Sequence, residues 1–302
     1  ASFLEGIKRP MPGVIMILIA NLVNVALNWI MIYGNMGAPV MGAAGAVWAT
    51  NTCRFLLAIT IIFYILNMRD HEIFGLRRKL AHSWSDWKRH REIGYAAGFT
   101  MGVESIAFNG IGLFAGWLGV LYIGAHAIIM NLLILVAMVS IGIGSATGIM
   151  VGIATGAKDI HAVRRAGWTG FWLVSLIVSM IAIVLMLIPE WFGSFYTNDV
   201  ALMDVVAPAI VMLGVLVVFD GGQLVLGNAL RGRGETWAIT IMNIIAFLII
   251  LLPLAWWLAF KMEHGLIGLY EAVFISCVAA TIMFAIHFHM LSNRDIRGIR
   301  DQ

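Results

Sequence analysis

Two acidic residues stand where acids are costly. Glu104 and Asp220 each sit near the middle of a long apolar run, flanked on both sides by Val, Ile, Leu, Phe and Gly. A carboxylate at the centre of a bilayer costs about 2.5–3.5 kcal/mol on insertion scales. Such residues therefore face a cavity, a partner or each other rather than lipid. Removed from bulk water, a carboxylate can hold a proton or be neutralised by Na⁺. An organic cation competes for the same charge, and that competition is the chemistry of exchange. Four amides form a second, weaker set. Asn24 and Asn28 lie one helical turn apart and share a face. Asn131 and Gln223 are single buried-amide candidates, and all four suit either cavity lining or interhelical hydrogen bonding. No nucleophile–base pair, phosphate loop or metal spacing is present, and Cys53 and Cys277 both lie within apolar runs. The chain reads as a non-enzyme without a cofactor, except for a coupling Na⁺ or H⁺ held at Glu104 and Asp220.

The elements that carry these groups follow from composition. Of 302 residues, 61% are hydrophobic and only 12% charged, with a mean hydropathy of +0.94. A soluble domain has about twice that share of charge, which excludes a soluble enzyme, a disordered tail and a nucleic-acid binder. Runs of the length a membrane helix needs, about 20 residues, cover 13–33, 40–66, 93–117, 121–153, 167–189, 204–230, 237–260 and 265–290. The expected fold is an all-α polytopic membrane protein with eight transmembrane helices. Of the 19 Lys and Arg residues, all but Arg54 and Lys261 fall in connections on one side. The positive-inside rule then places both termini in the cytoplasm. Residues 67–92 form the one long polar stretch and read as an interfacial linker between a segment 1–66 and a six-helix bundle over 93–302.

Glycines and prolines add expectations about packing. Gly144, Gly148, Gly152 and Gly156 recur every four residues, as do Gly94, Gly98 and Gly102, and both stripes read as surfaces for close helix contact. Pro208 and Pro253 should disturb their helices. His126, His287 and His289 read as interfacial.

An internal repeat is also visible. An apolar stub, a basic turn and a helix with an Asn recur from Phe3 and from Leu226, placing Asn21 opposite Asn243. Each is followed by a Gly-x-x-Gly opening the next helix, Gly42 with Gly45 and Gly265 with Gly268. The second copy has four helices in front of it that the first lacks, so four upstream helices are expected to be absent from this chain.

LNWIMIYGNMGAPVMGAAGAVWAT (27–50), GAHAIIMNL (124–132) and FDGGQLVLGNALRGRGET (219–236) resemble the multidrug and toxic compound extrusion (MATE) transporters, closest to their NorM-like bacterial branch. The resemblance runs over essentially the whole chain. It implies a two-lobe, twelve-helix fold of which this chain supplies helices 5–12: the end of an N-lobe (1–66), the linker and a C-lobe (93–302). It further implies an inner-membrane antiporter, monomeric when full length, exchanging Na⁺ or H⁺ for lipophilic, often cationic drug-like molecules by alternating access. Acids at the positions of Glu104 and Asp220 would form the C-lobe cation site, and Asn24 and Asn28 would line the N-lobe cavity. Leu216 departs from the branch, which often has Tyr there. A lipid-linked saccharide flippase of the same superfamily is the alternative, although Arg54 is its one intramembrane cation. A chain without transport activity on its own is the other. Small molecules and membrane lipids are the expected partners, and nucleic acid is not.

Overall fold

Inside a bilayer every backbone N–H and C=O must find a partner within the protein, which leaves helices as the economical solution. The computed structural model describes residues 2–7, 9–68, 72 and 87–300, and among them there is no strand. A short helix, α1 (Ser2–Gly6), precedes α2 (Met11–Tyr33) and α3 (Gly42–Asn67). Then come α4 (Lys88–Leu118), α5 (Val120–Gly156), α6 (Ile160–Leu187), the short α7 (Pro189–Ser194) and α8 (Val200–Arg233). The last two are α9 (Thr236–Lys261) and α10 (Gly265–Arg300). Eight of these are long and apolar enough to cross a membrane, and they coincide with the eight runs of the sequence. Most of the interfacial stretch expected at 67–92, including Trp84, lies outside the described residues.

The chain divides into two compact units, residues 1–83 and 84–302. In the first, α2 and α3 form a hairpin. Its joint is built on glycine: Gly34 caps α2 with φ +72°, and Gly42 opens α3 with φ +53°, values that a side chain disfavours. Gly45 then lies so close to α2 that a Cβ would stand 2.5 Å from the Met31 carbonyl oxygen.

In the second unit α8 is the hub, packed against α5, α6 and α10, while α4 leans on α9 and α5. Two aspartates start the helices: Asp159 accepts from the Ala162 N–H at 2.9 Å and Asp199 from the Ala201 N–H at 3.0 Å, the usual N-cap arrangement. The core runs through Ile129, Ile210, Leu213, Phe247 and Tyr270, all fully buried. Leu, Ile and Phe also cover the outward faces, as expected for a surface solvated by lipid.

The glycine stripe of α5 packs as expected. A Cβ at Gly144 or Gly148 would meet Asn228 of α8 at 2.9 Å, and Gly232 rests on the Gly148 carbonyl. The stripe on α4 does not. Among the described residues nothing stands within 4 Å of a Cβ at Gly94, Gly98 or Gly102. The helix turns Ala96, Thr100, Val103, Ala107 and Ile111 inward instead. Two residues along a helix is a rotation of about 200°, so the glycines face out. Gly156 is likewise open. Pro208 sits within a continuous α8, whereas Pro253 lies between two π-helical stretches, 244–251 and 257–261. The missing N–H of Pro253 is accommodated by overwide winding on both sides.

Candidate functional site

Four helices of the second unit converge on the two acids. Glu104 comes from α4, Asp220 from α8, Asn243 from α9 and Cys277 from α10. The Asn243 Nδ2 donates to Glu104 Oε1 at 2.8 Å, and the Cys277 thiol points to Asp220 Oδ1 at 3.9 Å. Glu104 and Asp220 are close enough for their charges to act on one another, and the Arg231 guanidinium lies within electrostatic reach of Glu104. Both acids are only half-buried, so neither is sealed in the core.

Local sequence explains how they are held. Gly221 and Gly222 follow Asp220, and a Cβ at either would strike Ser140 Oγ at 2.8 Å or the Phe171 ring at 2.9 Å. The pair lets α8 press against α5 and α6 on one face while Asp220 turns toward α10. One turn further, Thr281 donates to the Phe219 carbonyl at 2.8 Å and ties α10 to the same level. On the α4–α9 seam, a buried hydroxyl pair lies one turn before the acid. Thr100 and Thr240 meet at 2.9 Å, and Thr240 also donates to the Ala96 carbonyl at 3.0 Å. Glu104 and Asn243 occupy the next rung, and Phe108 stacks on Phe247 above them at 6.0 Å. Asn243 is the last α-helical residue before the first π-helical stretch.

Three oxygens in these helices are buried without a hydrogen-bond partner among the described residues: Asn243 Oδ1, Ser276 Oγ and Gln223 Oε1. Leaving such an acceptor unpaired costs about 1–3 kcal/mol. Asn243 carries its free oxygen on the same amide that binds Glu104, and carboxyl and amide oxygens are hard donors of the kind that suit an alkali cation or a shared proton.

The other sequence candidates lie apart from this cluster. Asn28 Nδ2 donates to Asn24 Oδ1 at 3.0 Å within α2, and Asn28 Oδ1 is left unpartnered. Asn131 is exposed and accepts from the Tyr196 hydroxyl at 2.8 Å. Leu216 is fully buried, so no hydroxyl replaces the Tyr of the related branch. His126, near the start of α5, is buried within the protein, and its Nδ1 meets the buried Tyr270 hydroxyl at 3.0 Å. His287 Nε2 is also buried, 3.8 Å from Glu235 Oε2, while Glu271 pairs with His264 at 2.8 Å.

From the sequence Asn243 is only a marker of the repeat, Cys277 only a thiol within an apolar run, and Ser276 carries no signal. An Asn in an apolar helix was the available signal. The partner of that amide could not be read without the packing of α4 on α9.

Residues 96–257 match the MatE family. The chain is 34% identical to the "Probable multidrug resistance protein NorM" of Caulobacter vibrioides over 299 residues, covering 99% of this chain and 64% of that one. It is 32% identical to the "Multidrug resistance protein NorM" of Burkholderia vietnamiensis, covering 92% and 61%. It therefore spans less than two thirds of the length of these relatives. The fold superposes on the crystal structure of the eukaryotic MATE transporter AtDTX14 with a TM-score of 0.87 at 17% identity, covering 97% of this chain and 66% of that one.

Proposed function

The chain belongs to the MatE family, and from that premise we propose that it serves in cation-coupled multidrug efflux. The exported compounds would be lipophilic and often cationic, exchanged for Na⁺ or H⁺ by alternating access of two lobes. One observation carries the reading: two carboxyl groups from different helices, Glu104 held by Asn243 and Asp220 faced by Cys277, lie within electrostatic reach of one another in an apolar bundle. Two negative charges held together in an apolar bundle repel unless a cation or proton joins them, so the pair is poised to take one up. Glu104 and Asp220 hold the coupling ion, Asn243 orients Glu104, and Gln223 supplies a further oxygen. Asn24 and Asn28 contribute an amide surface in the other unit, and Asn131 sits outside the ion cluster beside Tyr196.

The basic connections face the cytoplasm of a bacterial inner membrane, and both termini lie there. The test is efflux of tetraphenylphosphonium from proteoliposomes under an imposed Na⁺ or pH gradient. This chain is assayed beside a relative of full NorM length. Gradient-driven efflux that persists in both E104Q and D220N would sink the assignment. Efflux by the longer protein alone would assign transport to an assembly larger than this chain.

A further inference from the structure

The first two turns of α6 carry His161, Arg164 and Arg165, all exposed. A helix N-terminus bears partial positive charge, so cations there work against the helix that holds them. None of the three has an ion pair among the described residues, and the adjacent acid, Asp159, is engaged by the Ala162 N–H. Among the described residues nothing balances this charge.

The same three residues line one end of an open groove of about 700 Å³. Its middle is aromatic. Trp168 is wedged edge-on against Phe171 at 5.6 Å and Phe288 at 6.3 Å, and Trp172 packs on Phe171 at 5.2 Å. Thr169 adds an exposed hydroxyl between them, and the far end is aliphatic, formed by Leu173 and Leu176. All eight residues lie on α6 at helical spacing. From His161 to Leu176 the helix rises about 22 Å at 1.5 Å per residue. That matches one bilayer leaflet with its headgroup zone, about 20–22 Å. The order of cation, amphipathic ring and aliphatic side chain is the order of a phospholipid's phosphate, glycerol backbone and acyl chain.

We infer that this groove seats an anionic phospholipid, with its phosphate between Arg164, Arg165 and His161 and an acyl chain along Leu173 and Leu176. Arginine suits the role because its planar fork meets phosphate oxygens in pairs. A zwitterionic lipid would bring its own cation to a groove already cationic, so selectivity should follow headgroup charge. The two tryptophans should bind either lipid, since rings at this depth recognise the glycerol region and not its charge.

The test is native mass spectrometry of the full chain in detergent, titrated with phosphatidylglycerol and with phosphatidylcholine of the same acyl chains. The first phosphatidylglycerol should bind about 30-fold more tightly, the contribution expected of two basic side chains at a membrane surface. R164Q/R165Q should lower that preference to about twofold, R164K/R165K should keep most of it, and R294Q/K88Q should leave it unchanged. If the double Gln variant does not fold, R164Q and R165Q singly should each lose about fivefold. Equal binding of the two lipids, or a preference untouched by R164Q/R165Q, would overturn the inference. Displacement of the lipid by 10 mM inorganic phosphate, a probe concentration of about that order, would also overturn it by marking a free-anion site.

Discussion

The α2–α3 and α9–α10 hairpins invite comparison because they are built the same way and end up differently. Gly42 and Gly265 both open their second helix in a left-handed conformation, at φ +53° and +57°. Gly45 and Gly268 both press on the backbone of the helix before, where a Cβ would fall 2.5 Å from Met31 and 2.9 Å from Leu258. The local joint is therefore shared. Burial is not: none of the most apolar stretch of α2 and 11% of that of α3 is buried, against 39% and 50% for α9 and α10. Two helices alone can bury only their common seam. The polar groups follow suit. In α2 the amides of Asn24 and Asn28 can satisfy only each other, whereas Asn243 of α9 reaches across to Glu104 of α4. A hairpin sets local geometry, and the packing of further helices turns polar residues into a site.

The sharpest way to break that contrast is to remove charge from the six-helix unit and amide from the hairpin. E104Q or D220N should lower gradient-driven efflux by about 100-fold or more, the scale expected for loss of a proposed coupling-ion ligand, as read in proteoliposomes. N24L should leave more than about a third of the rate, since an interaction confined to one helix is worth a few tenths of a kcal/mol.

Packing gives the next largest effect. G232A forces a Cβ onto the Gly148 carbonyl and should cost about 1–3 kcal/mol. G98A meets open space and should be neutral or stabilising by up to about 1 kcal/mol through helix propensity. Thermal melting in detergent separates the two, and equal shifts would mean that α4 and α5 are packed differently from this description.

Smaller effects are expected at the single hydrogen bonds. Y270F removes the hydroxyl that meets His126 and should cost about 1 kcal/mol. N243L should cost about 0.6–1.7 kcal/mol, the range for interhelical hydrogen bonds in membranes. It should also weaken efflux more than Y270F does, because it frees Glu104. Melting and efflux measured on both variants test whether Asn243 acts on the site or only on the fold.

Much of this was open to a reader of the sequence. The eight spans follow from run length because a bilayer has fixed thickness. Glu104 and Asp220 stood out because a mid-membrane acid is costly wherever it points. Failures arose where direction mattered. The stripe of Gly94, Gly98 and Gly102 looks like the stripe of Gly144, Gly148 and Gly152, yet only the second meets another helix. Spacing tells which residues share a face, but not which neighbour that face receives. The burial of His126 against Tyr270 likewise depends on where α10 passes, which its place at the start of α5 does not tell.

The sequence by itself determined the membrane-spanning helices, the glycine joints of both hairpins and the two acids that need a partner. These follow from hydropathy, backbone sterics and the cost of charge in hydrocarbon, all of which act on a residue and its near neighbours. Only the tertiary structure decided that Asn243 holds Glu104 and that Cys277 faces Asp220. Those contacts join residues 57 to 139 positions apart along the chain. Helix rotation and packing fix them, and no local pattern encodes either.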